Sequence, residues 1–190
     1  VSVLGIGCNN FGMKNDEAES IKVVHASLDV GINFFDTADI YGGTLSETYL
    51  GAALRDRRDQ AIVATKFGMQ VDESRKGAHP DYIKQAVEDS LQRLQLDYID
   101  LYQLHTPDDS VPIADTLGTL NDLVVAGNVK EIGCSNFSAE QLHEANQAAG
   151  AGAKFISVQN EYSLLFRGDE AEIFPAGADL GIGYLPYFPL

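Results

Sequence analysis

A carboxylate, a phenol, an amine and an imidazole make up the set of residues best suited to proton chemistry in this sequence: Asp36, Tyr41, Lys66 and His105. A lysine beside a tyrosine favours the tyrosinate and lowers the phenol's pKa toward working pH, while an aspartate beside the lysine keeps the ammonium charged and oriented. Tyr41 could then give a proton to a carbonyl oxygen as hydride arrives at the carbon. His105 could hydrogen-bond the same oxygen, orient the substrate and share in proton transfer. A second set is neutral: Ser135, Asn136 and Gln159 offer donors and acceptors suited to a carboxamide, and Tyr187 offers a ring for stacking. Taken singly, each residue has an ordinary reading, with Asp36 a loop carboxylate, Lys66 an ion-pair partner and Ser135-Asn136 a cap or turn.

These residues are far apart in the chain, so only the fold can unite them. Seven short β-rich runs are expected as strands, at Val3–Cys8, Ile32–Asp36, Ala61–Thr65, Ile99–Gln103, Val129–Cys134, Phe155–Gln159 and Ile182–Leu185. Between them, helical periodicity marks Glu17–Val30, Ser46–Leu54, Tyr82–Leu94, Ile113–Ala126, Ala139–Ala148 and Glu170–Asp179, an alternation that favours parallel βα units. Punctuation agrees: Ser46 stands before Glu47, Pro80-Asp81 opens a helix, Ser138 and Gln141 are spaced for a capping box, and Gly127 and Gly181 follow helix ends. An open doubly wound sheet would carry a Gly-rich turn after its first strand, but Gly5-Ile6-Gly7 is followed by Asn10 where a third glycine would stand. The expected fold class is therefore α/β, a (β/α)8 TIM barrel, with residues 1–190 as one domain. A full barrel has eight units and about 250 residues, so the eighth is expected from a lost or unseen tail or from another chain. Catalytic groups of such barrels lie at the C-terminal ends of the strands and in the loops after them, where Asp36 ends the second run and Lys66 and His105 follow the third and fourth.

Bulk properties narrow the function classes. A chain of 190 residues, 45% hydrophobic, can bury a sizeable core. Its formal charge of −15 is dispersed, which argues against nucleic acid as a partner, since binding there needs clustered Lys and Arg. No apolar stretch approaches the roughly 18 residues of a membrane span, and no leader opens the chain. Cys8 and Cys134 sit in apolar runs and read as buried free thiols of a reducing, cytoplasmic compartment. His25, His79 and His143 show no metal-ligand spacing, so no metal is expected.

Five segments then resemble the signature segments of the aldo-keto reductase family, in matching order and spacing. They are Gly31-Ile-Asn-Phe-Phe-Asp36-Thr-Ala-Asp-Ile-Tyr41-Gly, Ala64-Thr-Lys66-Phe-Gly, the run from Leu91 to His105, Ile132-Gly-Cys-Ser135-Asn136-Phe, and Val158-Gln159-Asn-Glu-Tyr. The resemblance runs from Val3 to Leu190. It implies reversible, NAD(P)H-dependent reduction of aldehydes or ketones without a Rossmann fold, on a small-molecule carbonyl substrate. By motif match, it makes Tyr41 the general acid, Lys66 and Asp36 its tuning partners, and His105 the substrate-orienting residue. It makes Ser135, Asn136 and Gln159 ligands of the nicotinamide carboxamide and Tyr187 the residue stacked on the nicotinamide ring. Asp36, Phe188 and Leu190 complete the implied cofactor-binding set, with Phe188 standing where Ser is commoner. The family's adenosine 2′-phosphate site lies beyond the seventh strand, so NADP(H) over NAD(H) is a family expectation. Two alternatives stand beside the enzyme: a regulatory or sensor subunit that keeps the barrel and binds nucleotide, and an inactive fragment.

Overall fold

The computed structural model describes residues 1–190 and contains seven parallel strands in one sheet, ordered as they occur in the chain. They are β1 (Gly5–Gly7), β2 (Phe34–Asp36), β3 (Ile62–Phe67), β4 (Ile99–Leu104), β5 (Val129–Ser135), β6 (Phe155–Glu161) and β7 (Gly183–Tyr187). Six helices alternate with them: α1 (Glu17–Asp29), α2 (Leu45–Leu54), α3 (Pro80–Leu94), α4 (Ile113–Ala126), α5 (Ala139–Ala149) and α6 (Ile173–Leu180). The sheet is a nearly closed barrel of the (β/α)8 kind, as expected. One hydrogen bond reports the curvature directly, for Gln159 on β6 donates to Asp36 on β2 across 3.0 Å. In a flat sheet, four strand spacings of about 4.8 Å would keep those strands roughly 19 Å apart.

Because side chains alternate across a strand, each strand sends one set of residues into the barrel and the other toward the helices. Phe35, Val63, Phe67, Tyr102, Ile132 and Val158 join Val24, Leu50, Leu54, Ile83, Leu120 and Leu142 of the helices in one buried cluster. Fully burying such side chains contributes about 1.5–3 kcal/mol each, which makes this layer the main source of stability. Helix ends follow local chemistry. The Ser138–Gln141 capping box forms, and Gly127 and Gly181 end α4 and α6 in the left-handed region. No helix is long and apolar enough to cross a membrane, and both cysteines are free and buried.

Several boundaries shift by one to three residues, and three of the local differences have a clear physical cause. The first strand begins at Gly5 rather than Val3, because its partner β2 offers pairing only at Phe34, Phe35 and Asp36; Val3 and Leu4 are exposed. Ser46 is not a cap. It lies inside α2, fully buried, donating to the Cys8 carbonyl at 2.8 Å and sharing a hydrogen bond with the Thr37 hydroxyl at 2.7 Å. The last helix starts at Ile173 rather than Glu170, because the acids before it bind tertiary partners: Asp169 accepts from Asn160 and Tyr184, and Glu170 from Tyr162.

Candidate functional site

Asp36 closes β2, and its carboxylate is the centre of a convergent set. Lys66 Nζ donates to Oδ2, while Gln103 Nε2 of β4 and Gln159 Nε2 of β6 each donate to Oδ1 at 3.0 Å. Lys66 is fully buried and also donates to the Thr37 carbonyl at 3.0 Å. Burial alone would lower the ammonium's pKa, but Asp36, and then Tyr41, more than reverse this and hold it above its ordinary value. Lys66 is therefore a fixed positive charge.

Tyr41 opens a tight turn, Tyr41–Thr44, in which Gly42 has φ of 59°. A β-carbon at Gly42 would run into the Phe11 carbonyl, so glycine is required for the turn to close on the barrel rim. The Lys66 ammonium lies 5.1 Å from the Tyr41 ring centroid, and the His105 ring meets it edge-on at 5.7 Å. The expected depression of the phenol pKa does not result. Burial raises it and outweighs Lys66, which pulls it down, so Tyr41 keeps its proton above the ordinary range. His105 is buried and its pKa is lowered to about 4, first by burial and then by Lys66, against Asp36. Its imidazole is neutral at physiological pH, and Nδ1 has no hydrogen-bond partner.

The neutral set lies at the adjoining strand ends. Ser135, buried at the end of β5, donates to the Gln159 carbonyl at 2.6 Å. Asn136 follows with φ of 62°; its amide donates to the His105 carbonyl at 2.9 Å and its oxygen accepts from the Tyr187 hydroxyl at 2.9 Å. Asn136 thus joins the ends of β4, β5 and β7. Gln159 is spent largely on Asp36 rather than pointing free. Phe188 packs edge-on against Tyr187 at 5.2 Å but is 62% exposed, and Leu190 is fully exposed, so these two stand apart from the convergent residues.

Gln103 is a site residue that the sequence reading does not single out. Period two is the available signal: it precedes His105 by two positions and so shares its face of the strand. Its side chain is fully buried, and its Oε1 has no partner. Arg167 pairs with Glu170 on the surface before α6. Tyr98 lies between Arg58 and Lys130 at the opposite end of the barrel.

The aldo/keto reductase family model matches residues 3–190. "Probable aldo-keto reductase 1" of Glycine max is 41% identical over 198 residues, covering 100% of this chain and 56% of its own length. The holo form of aldo-keto reductase AKR11C1 from Bacillus halodurans superposes with a TM-score of 0.86 at 37% identity, over 97% of this chain and 61% of its own. The thermostable aldo-keto reductase Tm1743, solved with the inhibitor epalrestat, gives 0.89 at 26% identity, over 99% and 68%. The chain thus spans a little over half the length of the curated relative it matches.

Proposed function

The chain belongs to the aldo-keto reductase family, and from that premise we propose that the intact protein is an oxidoreductase that reduces aldehydes or ketones to alcohols, reversibly, with a nicotinamide cofactor. The observation that carries this reading is the convergence of a protonated phenol, a buried ammonium and a neutral imidazole at three neighbouring strand ends. When bound, a nicotinamide cofactor would supply hydride for the carbonyl carbon. Tyr41 releases its hydroxyl proton to the carbonyl oxygen, and the tyrosinate left behind is stabilised by the Lys66 ammonium. Asp36 keeps Lys66 charged and aimed. His105, neutral, donates a hydrogen bond to the same oxygen and orients it, without competing as an acid.

The residues present suit the nicotinamide part of the cofactor. Asn136 offers an exposed carboxamide beside the Tyr187 ring, with the Ser135 hydroxyl behind it at 3.2 Å, a neutral donor and acceptor set matched to a primary amide. In this reading Ser135, Asn136 and Gln159 hold the carboxamide, Tyr187 stacks on the ring, and Phe188 and Leu190 extend the cofactor contact along the chain. NADP(H) is the proposed cofactor, a small carbonyl compound the substrate, and the cytoplasm the compartment, where buried thiols such as Cys8 and Cys134 stay reduced. Residues 1–190 belong to one barrel domain.

The test is titration of the intact protein with NADPH and with NADH, followed by nicotinamide fluorescence, and then turnover with a panel of aldehydes and ketones. Saturation by NADPH at lower concentration than NADH is expected. Binding of neither would sink the reading, and tighter NADH would reverse the cofactor preference alone.

A further inference from the structure

Behind Lys66, on the side of β3 that faces the helices, lies a second buried charge cluster that the chemistry above does not use. Glu47 of α2 is fully buried; it accepts from Thr65 at 2.6 Å and pairs with Arg93 of α3 at 2.6 Å. Asp39 is 2% exposed, and the one side chain that hydrogen-bonds its carboxylate is Tyr82 of α3, whose hydroxyl donates to Oδ2 at 3.3 Å. Its Oδ1 has no partner. The Arg93 guanidinium acts on Asp39 only through space, because its ion pair is with Glu47.

Asp39 also sits in the connection from Asp36 to Tyr41. Its amide donates to the Lys66 carbonyl at 3.1 Å, Thr37 donates to Ala64 at 2.9 Å, and the Tyr41 amide donates to Ala38 at 3.2 Å. This connection is thus an extension of the β3 edge, and the Asp39 side chain is its anchor in the helical layer. We propose that Asp39 is a positioning residue for Tyr41, pinning the Asp36–Tyr41 connection to α3 through Tyr82, and that it does so as a neutral carboxylic acid. This inference rests on the reductase reading for its catalytic part only.

The charges around Asp39 support the neutral form. Burial and then Glu47 raise its pKa to about 7, against Arg93, the Tyr82 hydroxyl and the Ile40 amide. Tyr102 of β4, also beside this cluster, is itself held protonated by burial and by Asp39 and Glu47. A carboxyl group whose folded pKa lies above its unfolded value binds more protons when folded, so its contribution to stability is present at low pH and lost as pH rises toward about 7. Ionised Asp39 would place an uncompensated charge beside Glu47 and loosen the anchor, carrying Tyr41 out of register.

The experiment is Asp39→Asn in the intact protein, read by turnover and by thermal unfolding across pH 5.5–8.5. Asparagine keeps the shape and cannot ionise. Expected are turnover at pH 6 within about twofold of the parent and loss of the parent's fall in kcat near pH 7. The parent's fall in Tm over the same range should vanish too, as expected for a group that no longer titrates. Asp39→Ala should lower kcat roughly tenfold with cofactor affinity unchanged. Tyr82→Phe should lower it in the same direction, and the double variant should be no worse than Asp39→Ala, as for two residues acting through one contact. The proposal is overturned if Asp39→Asn follows the parent in both pH profiles, or if Asp39→Ala keeps parental kcat. A parent without any carbonyl turnover counts against the reductase reading; the unfolding profiles then decide the neutral anchor, and matching profiles of parent and Asp39→Asn overturn it.

Discussion

The barrel carries a carboxylate cluster at each end, and the two are built on opposite terms. At the N-terminal end, Asp100 accepts from Arg58 at 2.6 Å, the Val63 amide at 2.9 Å and Lys130 at 3.2 Å. Both cations also lie over the Tyr98 ring, at 4.6 and 3.8 Å, so two positive charges share one anion near solvent. At the C-terminal end, Asp36 has a single, fully buried cation and two neutral amides. Around it, His105 Nδ1 and Gln103 Oε1 lack partners, and the nearby phenol keeps its proton. A saturated cluster has nothing left to offer a ligand and contributes only stability. Unsatisfied groups in a low-dielectric pocket interact strongly with whatever arrives. Polar satisfaction, rather than charge itself, separates the stabilising end from the end where chemistry is expected in such barrels.

Breaking the C-terminal end should give the largest effect. Tyr41→Phe is expected to lower kcat roughly a hundredfold to ten-thousandfold while cofactor binding and Tm stay near parental values. Turnover within threefold of the parent would remove Tyr41 from its role. The next effect is in pH dependence. His105 is neutral in the fold with a pKa of about 4, against an ordinary value near 6.5. Its stabilising contribution is therefore present above about pH 6.5 and lost as pH falls toward about 4, by up to about 3 kcal/mol. Urea unfolding of parent and His105→Gln over pH 4–7 checks this, and an equal acid loss in both would assign it to other groups.

At the saturated end, Asp100→Asn should cost about 2 kcal/mol of stability, the usual scale for hydrogen bonds to charged partners, with kcat unchanged once the protein is folded. A change in kcat at parental Tm would erase the distinction between the two ends. The smallest effect is expected at a pair belonging to neither: Lys22 and Glu19 meet at 3.0 Å on the surface of α1 with side chains 71% and 55% exposed. Lys22→Ala should leave Tm and kcat indistinguishable from the parent, because exposed pairs are screened and entropically costly.

Much of the fold and of the site is legible in the sequence. The strand and helix order follows from apolar runs and helical periodicity, since a parallel barrel strand is buried on both faces and its helices on one. Gly127, Gly181 and the Ser138–Gln141 box are readable for the same kind of reason, because caps depend on a few adjacent residues. The convergence of Asp36, Tyr41, Lys66 and His105 follows from strand ends alone. Ser46 escapes such reading because a helix-start residue and a buried hydrogen-bond donor have the same local sequence, and only the approach of Cys8 and Thr37 distinguishes them.

The sequence by itself determined which elements form, in what order, and which polar residues stand at their ends, because those properties depend on neighbours within a few positions. Tertiary structure decided the rest. The curl of the sheet brought Gln103 and Gln159 onto one oxygen of Asp36. Burial outweighed Lys66 in setting the Tyr41 phenol above its ordinary pKa, and burial with Glu47 outweighed Arg93 at Asp39. Desolvation and long-range pairing depend on what surrounds a group in space, and residues 67 or 123 positions away in the chain supply those surroundings here.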